Sequence, residues 1–166
     1  MHISLSKISR KFNYEWIFRD VDFEFEQNNA YAILGSNGSG KSTLLQIISG
    51  HLHPSAGTIT YSHNNIEVPV EDFFRHVTYS GPYLELIEEF TLEEMLTFHS
   101  RFRKFRHQLD VNAVMEITGL IRNRNKPIKY FSSGMKQRVR LAIALLTESE
   151  VVLLDGPAAN LDRKAV

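Results

Sequence analysis

The chain has 166 residues, 43% of them hydrophobic and 23% charged, which suits one folded domain with a buried core rather than a disordered tail. Lys plus Arg equals Asp plus Glu at 19 each, so no overall field draws the chain to nucleic acid or anionic lipid. The absence of cysteine removes disulfides, thiolate metal sites and thiol nucleophiles.

No apolar run approaches the ~20 residues that cross a bilayer. The start, Met1 to Ser6, has no basic-then-apolar signal pattern. A soluble protein is expected, with any membrane role coming through a partner.

The first elements read as antiparallel strands. Ile3 and Leu5 alternate with Ser4 and Ser6, and Val21, Phe23 and Phe25 alternate with Asp22, Glu24 and Glu26, the period-two pattern of a half-buried strand. Asn28-Asn29 supplies a turn, because Asn tolerates positive φ. Ala30 to Leu34 is a short apolar run, consistent with a strand covered on both faces.

Residues 35 to 42 read GSNGSGKS, which satisfies G-x-x-x-x-G-K-S/T. Phosphate oxygens are held best by several backbone N–H groups converging on one point. That needs a tight loop with little side-chain bulk, hence Gly35, Gly38 and Gly40 among Ser36, Asn37 and Ser39. The loop opens into a helix through Lys41, Ser42 and Thr43, whose N-terminal amides add donors and a favourable dipole. Lys41 places a compact positive charge against the outer phosphates, and the Ser42 hydroxyl suits Mg²⁺. The bland alternative is a flexible glycine loop. A chance match occurs in roughly one chain of this length in two hundred from ordinary residue frequencies, and the flanking strand and helix patterns reduce that further.

Leu44, Leu45, Ile47 and Ile48 carry helical spacing, with Gly50 as the stop. Thr58 to Tyr61 reads as a strand between Pro54-Gly57 and a His63-Asn64-Asn65 turn. The middle third turns helical. Thr91 and Glu94 form a capping box that opens a helix through Leu92, Met95, Leu96, His99 and Phe102. Arg101, Arg103, Lys104 and Arg106 gather at its end, where they suit the dipole. A nucleic-acid patch is the other reading, set against the balance of Glu85, Glu88, Glu89, Glu93 and Glu94. A second helix runs from Val111 to about Thr118 and stops at Gly119. Helix-rich sequence between strand-rich parts points to a helical insertion, about residues 83–130, in an α/β core.

Val151 to Leu154 is four apolar residues ending in the Asp155 carboxylate. A buried strand needs such a run, and a carboxylate at its C-terminal end faces the crevice where open α/β sheets bind ligands. Asp155 is thus a candidate to hold the water shell of Mg²⁺ beside Ser42.

The family comes into view at Phe131 to Val139, where Phe131-Ser132-Ser133-Gly134-Met135 resembles the L-S-G-G-Q signature of ABC-type ATPases and a basic, glutamine-containing helix start comes next. Asp155-Gly156-Pro157-Ala158-Ala159-Asn160-Leu161-Asp162 resembles that family's second nucleotide motif and D-loop (Ala159, Asn160, Leu161 and Asp162). The resemblance covers nearly the whole chain. It implies a P-loop NTPase core with an antiparallel β subdomain at the N-terminus and a helical subdomain insertion, binding ATP and Mg²⁺.

It also implies a head-to-tail pair of ATP-binding domains with two ATP molecules between them. Ser132, Ser133, Gly134 and Met135 then meet the ATP held by the partner's loop. Read without the family, Ser132-Ser133-Gly134 is a helix cap. Phe12 stands where the family stacks an aromatic on adenine, with Tyr14 and Trp16 near enough to compete. The Ser133 and Met135 variants look most like exporter subunits.

The resemblance further implies the energy-coupling subunit of a transporter, peripheral on the inner face of the cell membrane beside an integral-membrane subunit, with no nucleic-acid partner. The alternatives are an ATP-binding module with impaired hydrolysis, and a soluble ABC-type ATPase acting on ribosomes or DNA. Three departures bear on this choice. The family's glutamate after the Asp155 position is Gly156, which has no side chain to act as a base. A glutamine expected near Gly81-Pro82 is absent. The sequence stops at Val166, before the family's switch histidine and the strand carrying it, so the domain is expected to be incomplete, with a ladder partner missing beside Ala30 to Leu34 and beside the strand ending at Asp155.

Overall fold

A computed structural model describes residues 1–81 and 85–157. The chain divides into two compact units, Met1–Val77 and Thr78–Val166.

The first unit is built on a four-stranded antiparallel sheet of order β2-β1-β3-β4, with β1 at His2–Phe12, β2 at Glu15–Phe25, β3 at Ala56–His63 and β4 at Ile66–Val68. Alternation along β1 turns Ile3, Leu5 and Ile8 inward, each at most 3% exposed. The β3–β4 connection is a two-residue hairpin, with His63 opposite Ile66. Asn64 and Asn65 both take positive φ, 51° and 64°, the pairing that suits the twist of the flanking strands. Helix α1 (Lys41–Ile48) buries Ile47 and Ile48. Tyr61 on β3 stacks on Phe73 of the short helix α2 (Val70–Phe73), ring centres 3.8 Å apart, and its hydroxyl donates to the Ile48 carbonyl at 3.2 Å. Burial raises the Tyr61 phenol well above its ordinary pKa, so it stays a donor at every working pH.

The second unit pairs β5 (Val77–Ser80) with β6 (Val151–Leu154) in a parallel sheet. Its helices are α3 (Leu92–Phe102), α4 (Val111–Ile117) and α5 (Ser133–Leu146). Leu92, Leu96, Val114, Met115, Ile128 and Val139 are fully buried at their meeting point. The capping box is formed as expected: Glu94 N–H donates to Thr91 Oγ1, and Glu94 Oε2 accepts from Thr91 N–H at 2.8 Å. The bonds that Thr91 donates to Oε2, from its N–H and from its hydroxyl, hold the Glu94 carboxyl below the usual range. Asp110 caps α4 by accepting from the Ala113 N–H at 2.7 Å.

Three details differ from the expectations. Residues 30–34 form no ladder, and Leu34 is 87% exposed. An apolar run becomes a covered strand only with hydrogen-bonding neighbours, and none of the described residues supplies them. The start of this run is instead held by Tyr31, whose ring packs edge-on against Phe23 and Phe25 and whose hydroxyl accepts from Glu26 N–H at 2.9 Å. The Val151–Leu154 strand forms, but all four residues are only half-buried. Phe102, expected on the packed face of α3, is exposed at the last turn, where its ring meets that of Phe98 in the aromatic row from Phe90.

Candidate nucleotide-binding site

The glycine loop and α1 form one continuous cradle in the first unit. Ser39 N–H closes a turn onto Ser36 O at 3.2 Å, and Leu44 N–H donates to Gly40 O at 2.8 Å as the helix begins. Gly40 is the N-cap, in the left-handed region at φ 91°, and it offers no side-chain bond to the amides of the first turn. The helices α3, α4 and α5 begin with Thr91, Asp110 and Ser132, each of which accepts from an amide of its own first turn. The entry to α1 lacks such a side-chain acceptor, and no acidic residue stands in its first turn. A helix start of this kind is suited to an anion from outside the loop.

Gly40 is also pressed against β2. A Cβ there would lie 2.5 Å from Ile17 Cγ2 and 3.0 Å from Phe18 Cδ1, so the loop reaches the helix through a passage that only glycine fits. Lys41 bends back over the loop, its Nζ donating to Gly35 O at 3.0 Å and Ser36 O at 2.7 Å. The ammonium thus lies within the ring of residues 35–41 that the motif assigns to phosphate. Ser42 and Thr43 lie half-buried in the first turn of α1.

Phe12 ends β1, 45% exposed, with the Arg10 guanidinium 4.5 Å from its ring centre. Of its competitors, Tyr14 stands in the turn and is 99% exposed, while Trp16 lies between Arg19 at 4.1 Å and Lys11 at 5.4 Å. Arg10 covering one face of Phe12 was not foreseeable from the sequence. An aromatic platform with a cation on one face keeps its other face for a stacking partner.

In the second unit Asp155 comes directly after β6. Its N–H donates to Ser80 O at 2.7 Å, and its Oδ2 accepts from the Tyr79 hydroxyl at 3.2 Å. Gly156 takes φ 59°, and the Pro157 carbonyl accepts from Gln137 Nε2 of α5 at 3.1 Å. Gln137 is buried, so its amide is committed to this turn. The sequence reading missed Tyr79, and it took Gln137 only as part of a helix start, since no local pattern marks side chains that meet a strand end 76 and 20 residues away.

Ser132 caps α5, its Oγ accepting from the Met135 N–H at 3.2 Å. Ser132 and Ser133 are exposed, Gly134 and Met135 half-buried, and Lys136 on the next position pairs with Glu88. The basic cluster after α3 is partly spent inside the unit: Arg103 Nη2 donates to Glu148 O at 2.8 Å, and Arg106 donates to Thr147 O and Ser149 O at 2.9 Å each. Ala159, Asn160, Leu161 and Asp162, like Pro82, lie outside the described residues.

A glycine-lined loop entering a helix through a lysine and a serine, with a later strand that ends in a carboxylate, defines a P-loop nucleotide-binding protein. The sequence model of the ABC transporter family matches residues 18–159, and the chain belongs to that family, as an ATP-binding domain.

It is 30% identical over 98% of its length to a spermidine/putrescine import ATP-binding protein, PotA, of Fusobacterium nucleatum, and covers 44% of that protein. It is 33% identical over 89% of its length to the molybdate/tungstate import ATP-binding protein WtpC of Pyrococcus abyssi, again covering 44% of it. A solved structure described as the ATP binding subunit of an ABC transporter superposes with a TM-score of 0.80 at 27% identity, over 99% of this chain and 70% of that one. The chain spans less than half the length of these two curated relatives.

Proposed function

We propose that this domain binds Mg-ATP and acts as the energy-coupling part of a membrane transporter, working as a pair with a second ATP-binding domain against an integral-membrane subunit. The observation that carries the proposal is the helix start at Gly40–Lys41, open to an anion and backed by an ammonium already folded over its own loop. Amides from Asn37 to Ser42 hold the terminal phosphate oxygens, and Lys41 neutralises them. Phe12 stacks on adenine.

The donors present suit Mg²⁺. Among the described residues no group of three or more His, Cys, Asp or Glu gathers to cage a metal ion. Binding through one or two protein oxygens together with those of the phosphates is the habit of Mg²⁺. The family resemblance assigns that role to the Ser42 hydroxyl of the first unit and the Asp155 carboxylate of the second, and the ion, when bound, would supply charge neutralisation on the transferred phosphate. Ser132, Ser133, Gly134 and Met135 serve the ATP held by the partner domain, and Ala159, Asn160, Leu161 and Asp162 adjoin that interface. Names of relatives that describe import ATP-binding proteins support the transport role. No helix among the described residues is long and apolar enough to cross a membrane. In this reading the domain works from the cytoplasmic face, as the peripheral partner of the membrane subunit.

Gly156 favours a second reading of the same site, a module that clamps ATP and hydrolyses it slowly. No side chain at 156 can take the proton of an attacking water. The deciding experiment is nucleotide titration with steady-state phosphate release, on the wild type and on Lys41→Ala. Saturable ATP binding lost in Lys41→Ala, with turnover near the variant's background, is the expected result. Steady hydrolysis abolished by Lys41→Ala would overturn the slow-turnover reading, and unchanged binding in Lys41→Ala would overturn the site itself. Co-purification with a membrane-spanning protein tests the transport role.

A further inference from the structure

We propose that Tyr79 is a positioning residue for the Asp155 carboxylate, standing beside the candidate metal ligand. This inference rests on the Mg-ATP reading of Asp155. Tyr79 lies on β5, the strand that pairs with β6, and the two bonds from this segment to Asp155 act on different parts of one residue. The Ser80 carbonyl takes the Asp155 N–H at 2.7 Å, fixing the main chain, and the Tyr79 hydroxyl donates to Asp155 Oδ2 at 3.2 Å, fixing the carboxylate.

Gly81 sets where the tyrosine ring can lie. An added Cβ at Gly81 would lie 2.6 Å from Tyr79 Oη, 2.7 Å from Cε1 and 2.8 Å from Cζ. The ring therefore occupies the space any side chain at 81 would take. A glycine there is the condition for the hydroxyl to reach Asp155. From α5, Gln137 holds the Pro157 carbonyl at 3.1 Å, so the turn at residues 155–157 is gripped on the side of β5 and on the side of the helix.

The chemical consequence is orientation. A carboxylate that ligates a metal loses torsional freedom when it does so, and a donor on one of its oxygens removes that freedom beforehand. A phenol is suited to the task, because it donates at neutral pH and adds no charge to compete with the cation. Partners of this kind behind a metal ligand change metal affinity roughly 10–100-fold when lost.

The test measures ATP affinity of the full chain by fluorescence or calorimetry, once with excess Mg²⁺ and once with EDTA, for the wild type, Tyr79→Phe and Gly81→Ala. The wild type is expected to bind more tightly with Mg²⁺. Tyr79→Phe should lose about tenfold of that gain while its affinity in EDTA stays at the wild-type value. Gly81→Ala, which keeps the hydroxyl but drives the ring aside, should lose part of the same gain. A thermal melt of each variant checks folding.

A Tyr79→Phe variant with the full Mg²⁺ gain overturns the positioning role and leaves the ATP reading standing. Equal losses with and without Mg²⁺ also overturn it, since they report a structural role. A wild type that gains nothing from Mg²⁺, or binds no ATP, overturns the metal reading or the nucleotide reading and this inference with it.

Discussion

Gly40 carries two separate demands, and they can be measured apart. Its φ of 91° is a conformation that side chains resist, and its Cα faces Ile17 and Phe18 too closely for a methyl group. Gly38 shares the first demand, at φ 83°, but an added Cβ there meets nothing within 4 Å. Gly38→Ala should therefore cost only the backbone term, about 1 kcal/mol. Gly40→Ala should cost that plus the overlap with β2, about 2–4 kcal/mol in all. Urea midpoints of the two variants check the order, and equal midpoints would contradict the packing at Gly40. Gly156, at φ 59°, gives a related prediction. Gly156→Glu restores the side chain the family carries there, at a cost of about 1–2 kcal/mol of stability, and Gly156→Asn should cost less because Asn tolerates this region. Equal destabilisation by the two, read from thermal melts, would count against that backbone conformation.

Among the elements, the joint between α3 and α5 is held by several side-chain bonds. Arg103 and Arg106 reach the carbonyls of Thr147, Glu148 and Ser149 just past α5, where a helix end favours cations. His99 Nε2 meets Thr147 Oγ1 at 2.7 Å and its ring packs on Phe105. Burial, reinforced by the charge of Arg103, lowers the His99 pKa below its ordinary 6.5.

The unfolded chain thus binds a proton at His99 more readily than the folded one. Stability is expected to fall as pH drops through about 6.5, and to flatten once the folded-state pKa is passed. Urea midpoints between pH 8 and pH 5 should show that slope, and His99→Gln should reduce it. A variant with an unchanged slope would contradict the account of this joint. At the other end of α3, Thr91→Ala removes the capping box and should cost about 1 kcal/mol.

Each unit shows how far the sequence could be read. Ladders whose signal is local were legible, such as the Asn64-Asn65 hairpin and the alternation of Ile3 and Leu5. So were the caps at Thr91 and Ser132 and the glycine loop, because the residues that make them are neighbours in the chain. Bonds made over a long separation were not: Tyr79 to Asp155 and Arg106 to Ser149 arise only from packing. Residues 30–34 show the limit most clearly, since an apolar run states that a strand is possible and not which neighbour will pair with it. With Leu34 87% exposed and its backbone outside any ladder among the described residues, this segment has the features that favour self-association. Leu34→Lys should lower light scattering of the concentrated protein, and unaltered scattering would place the sticky surface elsewhere.

The central claim is that the backbone from Asn37 to Ser42 grips the phosphates of a nucleotide. Amide chemical-shift mapping of isotope-labelled protein titrated with Mg-ATP tests it most directly. The largest shifts should fall on Gly38 to Ser42 and vanish in Lys41→Ala. Saturable ATP binding that leaves those amides unmoved, with its shifts gathered on other elements, would contradict it.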